Sequence, residues 1–343
     1  MEEKKYYGEP IVKDTKYREE YLKGVEVFLA EKKAAADELR KGFITPEKYA
    51  ENPEFYREKL VEMLGFPLTE AGELPTAEKT FVVKDENVNI YRMQFTFFGK
   101  LKFYGMYFEQ AEGKEEAPLV FTFHGGDGTP ELVSSVHLNS ANYNHLLRRI
   151  TDRGANAFAP QFLLWKKDLY GNDYNRGYID GKLRQLGGSA TAMELYFLKG
   201  VLEYFLKKEG VNAEKIGVAG LSYGGMYALH FAAVEKRVKA CYSCSWLNNS
   251  FLHSWADWSY LNAQKYFTSA ETAALVCPRV LIVAMGDKDS LFHYQNTVEE
   301  CEKIKAYYEK TGATEKLKYY IFDGGHEADY NDREIEDLLS ALQ

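Results

Sequence analysis

Three rhythms of apolar and polar residues succeed one another along the chain. Over about residues 17–39 apolar side chains recur at helical spacing (Tyr21, Val25, Phe28, Leu29, then an alanine-rich turn) with charges opposite, which predicts a helix. Thr45-Pro46-Glu47 and Asn52-Pro53-Glu54 each set a capping residue before a proline, two helix starts, and the second is followed by Phe55, Leu60, Val61 and Leu64 and closed by Gly65. Residues 1–78 thus read as an N-terminal helical extension packed on a main domain at 79–343. From Lys79 the period drops to two, over 80–84, 88–98 and 103–109, which predicts antiparallel strands joined by short loops.

The third rhythm alternates short apolar runs with helical stretches. Strands are expected at 118–123, 156–159, near Ile216, near Ala240, at 279–285 and at 317–322, with helices at 132–149, 190–207, from Gly225, at 297–310 and at 333–342. Repeated βα units imply an α/β fold: a mostly parallel sheet covered by helices on both faces, with the leading β segment as an antiparallel edge. Two connections are too long for simple loops. Residues 161–188 carry Trp165, Tyr170, Tyr174 and Tyr178, and residues 245–277 carry Trp246, Phe251, Trp255, Trp258, Tyr260, Tyr266 and Phe267. Both follow strand carboxyl ends, where open α/β sheets bind ligands, so they are candidates for a cap, with Trp165, Trp246, Trp255 and Trp258 as candidate pocket residues. The alternative is a second small core beneath each loop.

Composition narrows the function. With 27% charged and 45% hydrophobic residues the chain is neither disordered nor fibrous. A net charge of -8 and no dense basic cluster argue against a nucleic-acid partner. The N-terminus is charged where a signal peptide needs an apolar run, and no segment approaches the length of a membrane span, so a cytoplasmic location is expected. The four cysteines make no disulfide framework; Cys241 and Cys244 fall three apart on a predicted strand and should face opposite sides of the sheet, which argues against a shared metal or redox role. No metal site is expected.

The chemistry concentrates in Gly220-Leu221-Ser222-Tyr223-Gly224, a G-x-S-x-G with a strand before it and a helix after it. In so sharp a turn the serine takes strained backbone angles and its hydroxyl stands above the sheet at a helix N-terminus. Ser222 reads as a nucleophile rather than as a mere helix cap. A serine hydroxyl needs an imidazole to accept its proton and a carboxylate to orient that imidazole. Gly286-Asp287-Lys288-Asp289 and Asp323-Gly324-Gly325-His326 follow the last two predicted strands, in the order Ser, Asp, His. Asp289 is favoured as the acid because it stands three after the turn glycine; Asp287 is better placed to brace the turn, and Asp323 is a runner-up with a stronger reading as a turn residue. His326 is the base, His124 reads as a loop-holding residue and His230 as a core histidine. Two backbone amides should stabilise the oxyanion, one from Tyr223 and one from Gly125 or Gly126 in His124-Gly125-Gly126-Asp127.

From about Asn52 onward these residues resemble α/β-hydrolase-fold carboxylesterases of the acetyl xylan esterase and dienelactone hydrolase-like kind. The likeness is carried by residues 55–65, His124-Gly125-Gly126, Ala159-Pro160, Gly220-Leu221-Ser222-Tyr223-Gly224-Gly225, Gly286-Asp287-Lys288-Asp289 and Gly325-His326. The resemblance implies a sheet of about eight strands, no cofactor, the triad Ser222, Asp289 and His326, and hydrolysis through an acyl-enzyme. Gln161-Phe162-Leu163-Leu164-Trp165 replaces a more polar, arginine-containing stretch of relatives, and the Trp-rich insertion after Cys244 has no evident counterpart, which leaves the substrate open. The expected function is a serine esterase for small acyl esters, acetyl esters of a sugar or related compound among them. A serine peptidase of the same superfamily and a non-catalytic binding protein are the alternatives, and the oligomeric state, monomer or homo-oligomer, is open.

Overall fold

The computed structural model describes residues 7–163, 175–253 and 255–343. The chain begins with α1 (Val12–Phe43), α2 (Pro46–Glu51) and α3 (Pro53–Leu64). The side chains of Thr45 and Asn52 accept hydrogen bonds from the amides of Lys48 and Phe55, and proline opens α2 and α3, as the capping pattern predicts. Tyr49 of α2 and Tyr56, Leu60 and Leu64 of α3 enter the main core. By contrast, α1 touches the body only toward its end. Ala36 is its one buried residue, Arg40 bonds Glu271 and the carbonyl of Gln264, and Tyr17, Tyr21, Leu22 and Phe28 are exposed.

Among the described residues nine strands form one sheet: β1 (Thr76–Asp85), β2 (Val88–Phe97), β3 (Leu101–Gln110), β4 (Leu119–Phe123), β5 (Asn156–Pro160), β6 (Ile216–Leu221), β7 (Val238–Cys244), β8 (Val280–Gly286) and β9 (Leu317–Phe322), in the order β1-β2-β3-β5-β4-β6-β7-β8-β9. The apolar segments of the sequence give these nine, one more than the resemblance implies. β1, β2 and β3 pair antiparallel with one another and β3 with β5, after which every pairing is parallel. β2 alternates buried and less buried positions, whereas β4, β5 and β6 are buried throughout, as strands covered on both faces must be. Cys241 belongs to the core on one side of the sheet and Cys244 to the core on the other.

The helix expected at 132–149 does not form as one element. It is split into α4 (Pro130–Val133), a 3-10 turn at Ala141–Tyr143 and α5 (Leu146–Thr151), with left-handed backbone at Ser135, Leu138, Asn144 and His145. The physical reason is local competition: the Asn139 side chain accepts the Ala141 amide and the Ser134 hydroxyl bonds the Pro130 carbonyl, which draws the backbone away from a continuous ladder. The first long connection contains α6 (Arg176–Gln185) and leads into α7 (Ala190–Lys208). After β6 comes α8 (Tyr223–Val234). The second long connection holds two 3-10 turns, Ser250–Leu252 and Ala256–Trp258, then α9 (Ala263–Tyr266) and α10 (Ser269–Ala274); α11 (Tyr294–Lys310) and α12 (Arg333–Ser340) complete the chain.

Candidate active site

β6 runs directly into α8 with Ser222 alone between them, at φ 60° and ψ -121°. The glycines around it answer to contact. A Cβ on Gly220 would lie 2.2 Å from the Gly224 carbonyl oxygen, one on Gly224 would lie 2.2 Å from that of Phe123, and one on Gly225 would lie 2.7 Å from that of Cys244. The Ser222 amide donates to the Cys244 carbonyl at 2.8 Å, and the Ser222 carbonyl accepts the Met226 amide at 3.0 Å. The turn is thus anchored to the carboxyl end of β7 and to the first turn of α8.

Beyond β8, one oxygen of Asp289 accepts the amides of Leu291 (2.8 Å) and Phe292 (3.0 Å), and the other accepts Nδ1–H of His326 at 2.8 Å. Burial pushes the Asp289 carboxyl up, but the His326 bond, the charge of that ring and the two amides outweigh it and hold the pKa below 3.8. An ionised carboxylate only accepts, so the ring proton sits on Nδ1 and Nε2 is left as the basic nitrogen. The loop bearing His326 is fastened from the broken 130–151 segment: Asn142 donates to the His326 carbonyl (2.9 Å) and Asn144 to the Ala328 carbonyl (2.6 Å). Cys244 ties the two halves of the site, because its carbonyl takes the Ser222 amide while its thiol donates to the Glu327 carbonyl at 3.3 Å. Among the described residues no hydrogen bond joins Ser222 Oγ to His326. Asp287 accepts the Gly324 amide at 3.3 Å, bracing the turn, and Asp323 is 81% exposed in its side chain and paired with Lys288.

In the loop after β4, the Gly125 amide is taken by the Tyr143 hydroxyl at 2.7 Å. His124 Nε2 accepts the Phe162 amide (3.0 Å), so Nδ1 carries the proton and donates to the Gly125 carbonyl (2.7 Å). Burial lowers the pKa of His124 to about 4 and that of His230, which bonds the Met226 carbonyl, to about 4 as well. Both rings are therefore neutral holding elements at neutral pH. Tyr143, Asn142 and Asn144 have no signature in the sequence, because the partners they hold lie 18 to 184 residues away.

The aromatic residues of 245–277 gather at the same end of the sheet. Trp258 stacks on Tyr223 with centroids 5.4 Å apart, Trp255 meets Trp258 at 4.5 Å, Trp246 meets it at 5.9 Å, and Phe292 stacks on Trp258 while touching His326 at 5.7 Å. Trp246 is also buried against His230. Trp165 lies outside the described residues. A cavity of about 800 Å³ opens beside the loop after β4, lined by Asp127, Gln161, Phe103, Phe162 and Phe197 among others; Ser222 and His326 are not in its lining. Among the described residues no group of three or more His, Cys, Asp or Glu is arranged to hold a metal ion, and no helix is long and apolar enough to cross a membrane.

Comparison with known proteins sets this geometry in context. The model of the family described as "Acetyl xylan esterase (AXE1)" matches residues 45–274. YtaP of Bacillus subtilis (strain 168), a protein named as a hydrolase, is 24% identical over 234 residues, covering 64% of this chain and 75% of that protein. Among solved structures, a glucuronoyl esterase from Solibacter usitatus superposes with a TM-score of 0.66 at 15% identity, covering 83% of this chain and 91% of that one. Acetyl xylan esterase 1 from Thermoanaerobacterium sp. JW/SL YS485 superposes with a TM-score of 0.57 at 15% identity, covering 88% of this chain and 100% of that one. At such identities the structural likeness establishes the fold.

Proposed function

Since the chain belongs to the acetyl xylan esterase (AXE1) family and is an esterase of the α/β-hydrolase type, we propose that it transfers an acetyl group from a sugar or related alcohol to Ser222 and then to water. Ser222 Oγ attacks the ester carbonyl carbon and its proton passes to His326 Nε2, while Asp289 orients the ring and stabilises the imidazolium. The tetrahedral oxyanion is held by the amides of Tyr223 and Gly126; Gly125 is the poorer second donor because its N–H is committed to Tyr143. Collapse breaks the bond to the alcohol oxygen, which leaves with the proton from His326. Water then attacks the acetyl-enzyme, gives a proton to the same nitrogen, and acetate is released as the proton returns to Ser222. Bonds of this kind often shorten to working length only once substrate is bound, so the open Ser222 to His326 pair is compatible with this path.

The observation that carries the reading is the backbone of Ser222, a non-glycine residue at φ 60° held at a helix start by three glycines that cannot be larger. The cavity beside Asp127 and Gln161, with its aromatic floor, is of a size suited to the alcohol part of a small ester. Hydrolysis of p-nitrophenyl acetate tests the proposal: Ser222→Ala and His326→Ala should each lower kcat by about 10⁴-fold or more at nearly unchanged thermal midpoint. Retention of more than about a tenth of the wild-type rate in either variant sinks it.

A further inference from the structure

Below the start of α8 lies a charged residue that the path above does not use. Arg176, the first residue of α6, is 1% exposed. Its Nε donates to Asp257 and its Nη1 to Glu194, both at 2.7 Å; Nη1 also reaches the Leu163 carbonyl at 3.2 Å, and Nη2 the Tyr227 hydroxyl at 2.8 Å. The Glu194 carboxylate in turn accepts the Leu163 amide (2.6 Å) and the Tyr227 hydroxyl. The Tyr223 hydroxyl donates to the same Asp257 oxygen at 2.5 Å, and the guanidinium carbon sits 4.5 Å from the centre of the Tyr223 ring. One cation thereby joins α6 of the first insertion, Asp257 of the second, Glu194 of α7, and two tyrosines one turn apart on the helix that Ser222 opens.

Burying an ion pair of this sort carries a large cost in lost hydration, and apolar clusters of equal volume often hold elements together as well. A buried ion pair is thus weak evidence for a purely stabilising role. The geometry around Tyr223 is specific: its hydroxyl is held by Asp257, its ring lies against Arg176, and it stacks against Trp258. A side chain held at that many points limits how far the Cα of residue 223, and with it the peptide from Ser222, can turn. That peptide carries the Tyr223 N–H, which stands at the first position of α8 where amides are not used within the helix. We propose that Arg176 is a positioning residue for the oxyanion: by clamping Asp257 and the ring of Tyr223 it holds the backbone amide of residue 223 in the direction the tetrahedral intermediate requires. The proposal rests on the acyl-transfer reading given above.

Arg176→Lys keeps a positive charge but loses the planar fork that meets its partners together, and Tyr223→Phe keeps the amide while removing the bond to Asp257. On p-nitrophenyl acetate, Arg176→Lys should lower kcat by about 10- to 100-fold with KM within about twofold. Affinity for an aryl trifluoromethyl ketone, which forms a tetrahedral adduct, should fall by the same factor as kcat/KM. Tyr223→Phe should act in the same direction, and the double variant should be little worse than Arg176→Lys alone, because the two changes break one linkage. A role in stability alone would lower the thermal midpoint and leave kcat and ketone affinity within about twofold of wild type; that result overturns the proposal, as do fully additive effects of the two substitutions. Should Arg176→Lys fail to fold, Tyr223→Phe decides on the same two readouts. Ser222→Ala separates the two levels: if hydrolysis survives that substitution the acyl-transfer reading falls with this one, whereas if it is abolished while Arg176→Lys and Tyr223→Phe keep full kcat, only the role of Arg176 falls.

Discussion

At the scale of single residues, histidine shows how much environment decides. His326 is in contact with a buried carboxylate that fixes its tautomer, while His124 and His230 are enclosed and held neutral, their pKa lowered to about 4. In the unfolded chain each of these two rings takes up a proton near its ordinary value of 6.5, and in the folded chain only near 4. Between those values the unfolded state binds more protons, so stability is complete above pH 6.5 and is lost as the pH falls toward 4, by on the order of 3 kcal/mol per ring. His230→Leu should therefore flatten the fall in urea-unfolding free energy between pH 6.5 and 5 by about 1 kcal/mol per pH unit. An identical slope in variant and wild type would show that His230 is not buried as a neutral ring. The pairing of Asp289 rather than Asp287 or Asp323 with His326 was legible because three residues past Gly286 let the chain curl back; Asp287 has its carboxylate on the Gly324 amide and Asp323 is exposed beside Lys288.

At the scale of elements, the strands were legible and the supports of the loops were not. Apolar runs of five to ten residues bounded by glycine and charge define all nine strands, and with them the loop ends on which Ser222, Asp289 and His326 stand. The segment after β4 misled because Leu132, Val136, Leu146 and Ile150 keep an approximately helical spacing, while Ser134 and Asn139 use their side chains on the neighbouring backbone. That broken path delivers Tyr143 to the Gly125 amide and Asn142 and Asn144 to the loop of His326, contacts between residues too far apart in sequence for local pattern to foresee. Arg176 was hidden for the same reason. Tyr143→Phe removes the oxygen that fixes Gly125 and should loosen the loop, lowering kcat on p-nitrophenyl acetate by about 10-fold while costing about 1–3 kcal/mol of stability from the unpaired amide. Unchanged kcat would mean that this loop carries no part of the oxyanion site.

At the scale of the whole molecule, the candidate site sits where the carboxyl ends of β4, β6, β8 and β9 converge, with Cys244 at the end of β7 bonding both the Ser222 turn and the His326 loop. From the described parts of the two long connections, α6 brings Arg176 against the ring of Tyr223 at the start of α8, and the tryptophans of 245–277 pack from Tyr223 across to Phe292. α1 stands apart, with Ala36 alone buried, so the forward half of the helix should be dispensable. Deleting residues 1–30 should shift the thermal midpoint by less than about 3 °C and leave kcat unchanged, since the change in stability is expected to stay near 1 kcal/mol. A loss of folding would instead assign α1 a structural role.

The central claim is that a covalent intermediate forms on one hydroxyl. Intact mass after brief exposure to a fluorophosphonate, followed by peptide mapping, tests it most directly. The account predicts a single adduct on Ser222 that is absent in Ser222→Ala and strongly slowed in His326→Ala. An adduct on another residue, or one that persists at the wild-type rate when Ser222 is removed, contradicts it.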